Sequence, residues 1–357
     1  MCLSKKDIDI PYIRVKEKTN KAKYEFLRRF YTIWNQITKT RSRVIIDTHA
    51  GSGLVELEKN RNLYNKNERQ IIYGSPLIAI LKTLKISKNL KIILNEGNNT
   101  RCSLLKESIN KFKEQGIPIL KKIDDELYFK SLQTKRKKKL KKKSEYKFPE
   151  TPNAKCPSGY QEIREKTNAE IIIYNEKIEN IIDQILHDHL DYSLEEFKPI
   201  ALFLVDPCGV VGWNDVIKKI CNRSNKSQGT ELILNWSWDA INRNLNNDSK
   251  NKVLSKIYGI EEDTISKEFK GFTQMNEFLD KYIAQLKEYF EYVIHVGVEK
   301  DRLLKPKLSD YKKYVLILCT NNQSALSLGG YNVRRIKKKM RDGHLDIEKF
   351  AKSVNTQ

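Results

Sequence analysis

Asp47, Glu96, Asn175 and Asp206 are the residues on which chemistry can be built, because each closes a short apolar run. Val44-Ile45-Ile46-Asp47 leads into Thr48-His49-Ala50-Gly51-Ser52-Gly53, and Lys91-Ile92-Ile93-Leu94-Asn95 leads into Glu96. Ala169 to Tyr174 runs into Asn175, and Ala201-Leu202-Phe203-Leu204-Val205 into Asp206-Pro207-Cys208-Gly209. Apolar, β-branched runs of this length suit strands buried on both faces of a parallel sheet. Gly51 and Gly53 permit a sharp bend and leave room for a ligand to approach the backbone, the layout of a nucleotide-type cofactor loop after a first strand. A carboxylate at the end of a second strand can accept from the two vicinal hydroxyls of a ribose, which is the chemistry open to Glu96. Each residue also has a plainer reading. Asp47 can cap the turn that follows it, Glu96 can be a solvated strand end, and Asp206 before a proline can form an Asx turn. His49 can hydrogen-bond within its own loop.

These strand ends need helices to hold them. From Asn20 to Thr38, Tyr24, Leu27, Phe30, Tyr31, Trp34 and Ile37 recur at the helical period, with Lys21, Lys23, Arg28 and Arg29 on the remaining faces. Gly74-Ser75-Pro76-Leu77 opens a second helix, with Ser75 as N-cap and Pro76 in the first turn, where its missing N–H is harmless. Helical patterns follow through Leu104 to Phe112, Ile178 to Leu186, Asp215 to Cys221 and 250–290. Further strands are expected at Glu231–Asn235, Tyr292–Val298 and Tyr314–Thr320, the last two joined without a helix and therefore antiparallel. The sum is an α/β fold: a doubly wound, mostly parallel seven-stranded sheet with one antiparallel edge strand. Ligands in such sheets bind outside the carboxyl ends of the strands, where the four polar residues converge.

The expected organisation is one domain over 1–345, with its N-terminal helix at 20–38 and a C-terminal tail at 346–357. A flexible basic insertion is expected at 121–165. Within it, 135–143 holds eight positive charges in nine residues, a block that repels itself. A basic helix, Asn332 to Arg341, is expected near the end. Residues 1–15 read as irregular, and 56–72 as a polar, Asn- and Lys-rich insertion.

The formal net charge of +22 favours contact with polyanions, nucleic acid above all. An Asn-, Ile- and Lys-rich composition also raises lysine without any function. No run approaches the roughly 18 apolar residues of a membrane span, and the N-terminus lacks the core of a signal peptide, so a cytoplasmic protein is expected. The six cysteines have no Cys-x-x-Cys pair, which argues for free thiols and against a metal framework. His187 and His189 read as surface residues.

With these residues in view, the chain resembles the class I S-adenosylmethionine-dependent methyltransferases, and more closely the three-Cys-motif partner (TcmP) family. That resemblance rests on Lys23 to Tyr31, Asp47 to Gly53, Gly74 to Leu77, Asp206 to Gly209 and Asn235 to Arg243. The glycine loop and Gly-Ser-Pro-Leu start are also similar to a bacterial enzyme that methylates adenine N6 in large-subunit ribosomal RNA. Cys208 and Gly209 stand where N6-adenine enzymes usually carry a second proline and an aromatic.

The resemblance implies S-adenosylmethionine as cofactor, with Lys23, Asp47, His49, Gly51, Gly53, Ser75, Glu96 and Asn175 around it and no metal. Asp206 and the Pro207 carbonyl are then the catalytic pair, accepting hydrogen bonds from an acceptor amine and orienting its lone pair. Methyl transfer is mostly a matter of such positioning. Trp213, Trp236 or Trp238 could stack on a base in place of the missing aromatic, or could lie in the core, and Arg243 is the further substrate contact. The expected acceptor is a base amine of RNA or DNA. The alternative is a catalytically altered, methyltransferase-like protein that binds nucleic acid or a protein partner.

Overall fold

A computed structural model describes residues 13–15, 19–57, 70–83, 90–115, 170–191, 199–226, 229–245, 250–299 and 312–325. The basic insertion at 121–165, the basic helix at 332–341 and the tail at 346–357 fall outside the described residues.

The core is a seven-stranded sheet. Its strands are β2 (Arg43–Asp47), β5 (Leu90–Asn95), β6 (Glu170–Tyr174), β7 (Ile200–Val205), β8 (Thr230–Ser237), β9 (Tyr292–Glu299) and β10 (Lys312–Thr320), in the order β6-β5-β2-β7-β8-β10-β9. β6, β5, β2, β7 and β8 pair in parallel. β10 runs antiparallel to both β8 and β9. The sheet is therefore mostly parallel with an antiparallel edge, as the strand pattern implied, and β10 is slotted into that edge with β9 outermost. The order reverses at β2, which has β5 on one side and β7 on the other. That switch point is where a doubly wound sheet opens a crevice.

Strand side chains alternate between two apolar layers, the period-2 consequence of a pleated backbone. Ile45, Ile92, Leu94, Leu202, Leu204 and Ile233 face the layer formed with α1 (Thr19–Ile37), α2 (Ser75–Thr83) and α3 (Asn99–Gln115). Val44, Ile46, Ile93, Phe203, Leu232 and Leu234 face the other. That second layer is completed by α4 (Ile178–Leu186), α5 (Lys218–Lys226), α6 (Trp238–Asn242), α7 (Lys250–Tyr258), α8 (Ile265–Glu268) and α9 (Met275–Lys287).

Helix α1 departs from its expected amphipathic division. Tyr24, Leu27, Phe30, Tyr31 and Trp34 are buried as their period requires, but so are Lys23 and Arg29, while Ile37 in the last turn is 48% exposed. A second, small sheet also forms from the N-terminal stretch expected to be irregular and from the two ends of the expected polar insertion. β1 (Ile13–Val15) pairs in parallel with β3 (Leu54–Leu57), which pairs antiparallel with β4 (Gln70–Tyr73). This sheet carries the chain from the glycine loop to α2. The Gly74 amide donates to the Gly53 carbonyl at 2.7 Å and ties the two together.

Candidate functional site

The glycine loop leaves the end of β2 with both glycines in the left-handed region, Gly51 at φ +67° and Gly53 at +85°. L-residues other than glycine reach that region only at a cost, so the turn depends on these two positions. They differ in surroundings. A Cβ on Gly51 would meet nothing within 4 Å, whereas one on Gly53 would lie 3.3 Å from the side chains of Leu77 and Leu105. Gly53 is packed against α2 and α3, and Gly51 faces open space.

Glu96 organises the loop from the neighbouring strand. Its Oε2 accepts the Gly51 amide and its Oε1 the Asn98 amide, both at 2.9 Å. Charge-assisted bonds of this kind are about twice as strong as neutral ones. Asn175, at the end of β6, donates its Nδ2 to the Glu96 carbonyl at 2.8 Å. Three strand ends are thus linked in a row. His49 places Nδ1 2.8 Å from Thr48 Oγ1, and Thr48 Oγ1 donates to the Leu204 carbonyl at 3.1 Å, tying the loop to β7 as well. Burial lowers the His49 imidazole below its ordinary value, while Asp206, Glu179 and Glu96 act in the opposite direction.

Asp47 is fully buried. Its Oδ1 accepts the His49 amide at 3.2 Å, and its Oδ2 has no hydrogen-bond partner. Burial pushes this carboxyl up to about 7, with the Ser75 hydroxyl pulling it down and the charge of Asp206 pushing it up further. Ser75 is the first residue of α2 rather than its N-cap, and its hydroxyl acts on Asp47. The Tyr31 hydroxyl, also buried and without a partner, feels the charges of both Asp47 and Asp206. Unsatisfied buried polar atoms are costly, and their clustering at one end of a sheet marks a place for a polar ligand or ordered water.

Asp206 sits beyond β7 on the other flank of the loop. Its Oδ2 lies 2.6 Å from Lys23 Nζ, and its Oδ1 accepts from Asn235 Nδ2 at 2.7 Å. Burial by itself would lower the Lys23 ammonium; Asp206, with Tyr24 and Tyr314, outweighs it and holds the group above the ordinary lysine value. Lys23 and Asp206 are 183 residues apart in the chain. In the sequence Asn235 stands out only as the first residue of the Asn235 to Arg243 motif. It is the polar residue near the end of a strand, like Glu96 and Asp206, and that signal could have singled it out.

The tryptophans lie elsewhere. On β8, Leu232, Leu234 and Trp236 point into the second apolar layer, which leaves Ile233 and Asn235 on the opposite face. Trp236 is 4% exposed and stacks on Trp238, with ring centroids 6.0 Å apart. Trp213 is likewise buried, edge-on to Tyr282 at 5.4 Å. The period of the strand put Trp236 in the core, and Trp213 is buried in the same apolar layer. Arg243 follows α6, exposed, with its Nε donating to the Asp239 carbonyl at 3.0 Å. Pro207 follows Asp206, and Cys208 beyond it is exposed and accepts from Arg101 Nη1 at 3.3 Å. No signal in the sequence announced that contact.

Among the described residues no group of histidine, cysteine, aspartate and glutamate side chains could hold a metal ion, and no helix is long and apolar enough to cross a membrane. No family model matches the sequence, and no curated protein is significantly similar to it. Solved structures do resemble the chain. Protein LPL1258 from Legionella pneumophila, of family-model DUF519, is 10% identical with a TM-score of 0.43, over 87% of this chain and 89% of that one. Human methyltransferase-like protein 13, in complex with SAH, is 8% identical with a TM-score of 0.36, over 92% and 95%. The plantazolicin methyltransferase BpumL, also with SAH, is 8% identical with a TM-score of 0.31, over 85% and 86%. All three scores are below 0.5, and the fold assignment rests on the strand order and pairings.

Proposed function

We propose that this chain is an S-adenosylmethionine-dependent methyltransferase of the three-Cys-motif partner type, with a base amine of RNA or DNA as its acceptor. The observation that carries the reading is Glu96 gripping the Gly51 amide beside the open side of the glycine loop, at the switch point of a doubly wound sheet. The residues present suit the cofactor. Glu96 keeps lone pairs for vicinal hydroxyls, Gly51 leaves space beside the loop, and Asp47 Oδ2 and the Tyr31 hydroxyl are buried polar atoms without partners. The cofactor would supply an electrophilic methyl group on sulfur. The chain's own part is to bind and to aim. Asp206 and the Pro207 carbonyl accept from the acceptor amine, and Arg243, exposed after α6, meets a backbone phosphate. Trp213 and Trp236, being buried, have no part in stacking on the base. The net charge of +22 supports nucleic acid as the partner.

A second reading, a methyltransferase-like binding protein without catalysis, is favoured by one observation: both Asp206 oxygens already carry a partner, Lys23 and Asn235. One experiment separates the two. Labelled methyl transfer from S-adenosylmethionine is measured onto total RNA, DNA and protein from the source cell, beside calorimetry of SAH. Label in a nuclease-sensitive product supports the first reading. SAH binding with no label in any fraction supports the second, and absence of both removes the methyl-donor site altogether.

A further inference from the structure

Asp206 is held on both sides in a way that has a consequence for the order of events. Lys23 and Asp206 are 8% and 11% exposed at the side chain, so their contact at 2.6 Å is largely shielded from water. The Lys23 ammonium also lies 5.0 Å from the centre of the Tyr24 ring. The pair adjoins the glycine loop, since Asp206 follows β7, whose Leu204 lies in register with Asp47 on β2. The walls here carry three carboxylates, Asp47, Glu96 and Asp206. An amino-acid carboxylate entering beside them needs a cation. Among the described residues Lys23 is the buried cation paired with Asp206, whereas Arg101 contacts Cys208.

We propose that Lys23 is a shared cation that exchanges between Asp206 and the carboxylate of the methyl donor, so that donor binding frees Asp206 Oδ2 for the acceptor. This rests on the methyltransferase reading given above. Asn235 makes the exchange productive. Its Nδ2 keeps Oδ1 in place at 2.7 Å when Lys23 turns away, so the freed oxygen points in a defined direction. Asn235 Oδ1, buried and without a partner, stands beside it as a second acceptor for an N–H. Lys23 is thus a donor-binding residue whose exchange releases Asp206, Asn235 is a positioning residue acting through Asp206, and donor binds before acceptor.

The test measures affinity on the full chain by calorimetry, with SAH and with 5′-methylthioadenosine, which lacks the amino-acid carboxylate. Asp206→Asn removes the competitor for Lys23. It is expected to tighten SAH about tenfold, in the range of couplings between contacting residues, and to leave methylthioadenosine within about twofold. In a Lys23→Met background the same substitution is expected to change SAH affinity by less than about twofold. Unchanged or weakened SAH binding in Asp206→Asn overturns the exchange, as does equal tightening in the Lys23→Met background. If the variants do not fold, the wild type decides. The Lys23 ammonium resonance must shift on addition of SAH and stay put with methylthioadenosine, and a resonance indifferent to SAH overturns the proposal. Wild type that binds neither compound overturns the methyltransferase reading, and the exchange falls with it.

Discussion

Glu96 Oε2 accepts the Gly51 amide at 2.9 Å, so the acid that ends one strand holds the glycine loop of its neighbour. The same carboxylate holds the Asn98 amide, and it is 7% exposed. Glu96→Gln keeps the shape but removes the charge, and each bond to a charged group is worth about 1.5–3 kcal/mol. A loss of about 2 kcal/mol in urea unfolding is expected, together with at least tenfold weaker SAH binding by calorimetry. Wild-type values for both would remove Glu96 from the loop's support and from the site.

The two loop glycines separate packing from ligand space. Gly53→Ala combines a left-handed φ with a Cβ 3.3 Å from Leu77 and Leu105, so strain and overpacking together cost about 3 kcal/mol. Gly51→Ala carries the φ cost alone, about 1 kcal/mol, because its Cβ meets no protein atom. Its effect is expected on SAH affinity. Thermal melts and calorimetry of both variants check the contrast, and equal losses of stability would contradict it.

The Lys23–Asp206 pair is buried, so removing one member leaves a charge without its partner. Lys23→Met is expected to destabilise the fold by about 3 kcal/mol. The double variant Lys23→Met with Asp206→Asn is expected to recover most of that loss. Denaturant titration of the two singles and the double gives the coupling, and additive effects would mean that the pair is not coupled in solution.

Two buried acids make stability fall as pH rises. Burial pushes Glu231 up to about 8, and burial pushes Asp47 up to about 7. Their ordinary values are 4.5 and 3.8. Between the ordinary and the folded value the native state holds the proton that the unfolded chain has released. Stability is therefore highest at the acid side of that window and declines across it, by up to about 1.4 kcal/mol per pH unit for each group. Glu231→Gln is expected to flatten the decline between pH 5 and 8, leaving the part due to Asp47. Parallel stability curves for variant and wild type would show that Glu231 is ionised in the fold.

Binding to RNA or DNA is expected to depend steeply on salt. Contact with about six phosphates predicts a loss of roughly a thousandfold in affinity between 50 and 200 mM salt. Filter binding across that range checks it, and a flat profile would assign the +22 charge to composition alone.

The strand ends and the glycine turn were legible in the sequence because their causes are local. An apolar run that stops at Asp47, Glu96 or Asp206 marks a strand end whatever surrounds it, and Gly51 and Gly53 stand where the backbone turns left-handed. The doubly wound sheet followed from the alternation of such strands with helices, although the slot taken by β10 inside the edge did not. What only the tertiary structure decided is which side chains meet. Lys23 stands off the apolar stripe of its helix and was expected beside a cofactor, and it is buried because Asp206, 183 residues away, supplies its counter-charge. Trp236 and Asn235 are neighbours in sequence, yet one lies in the core and the other on Asp206. The pleat sends successive residues to opposite faces, and only the packed sheet says which face holds the site.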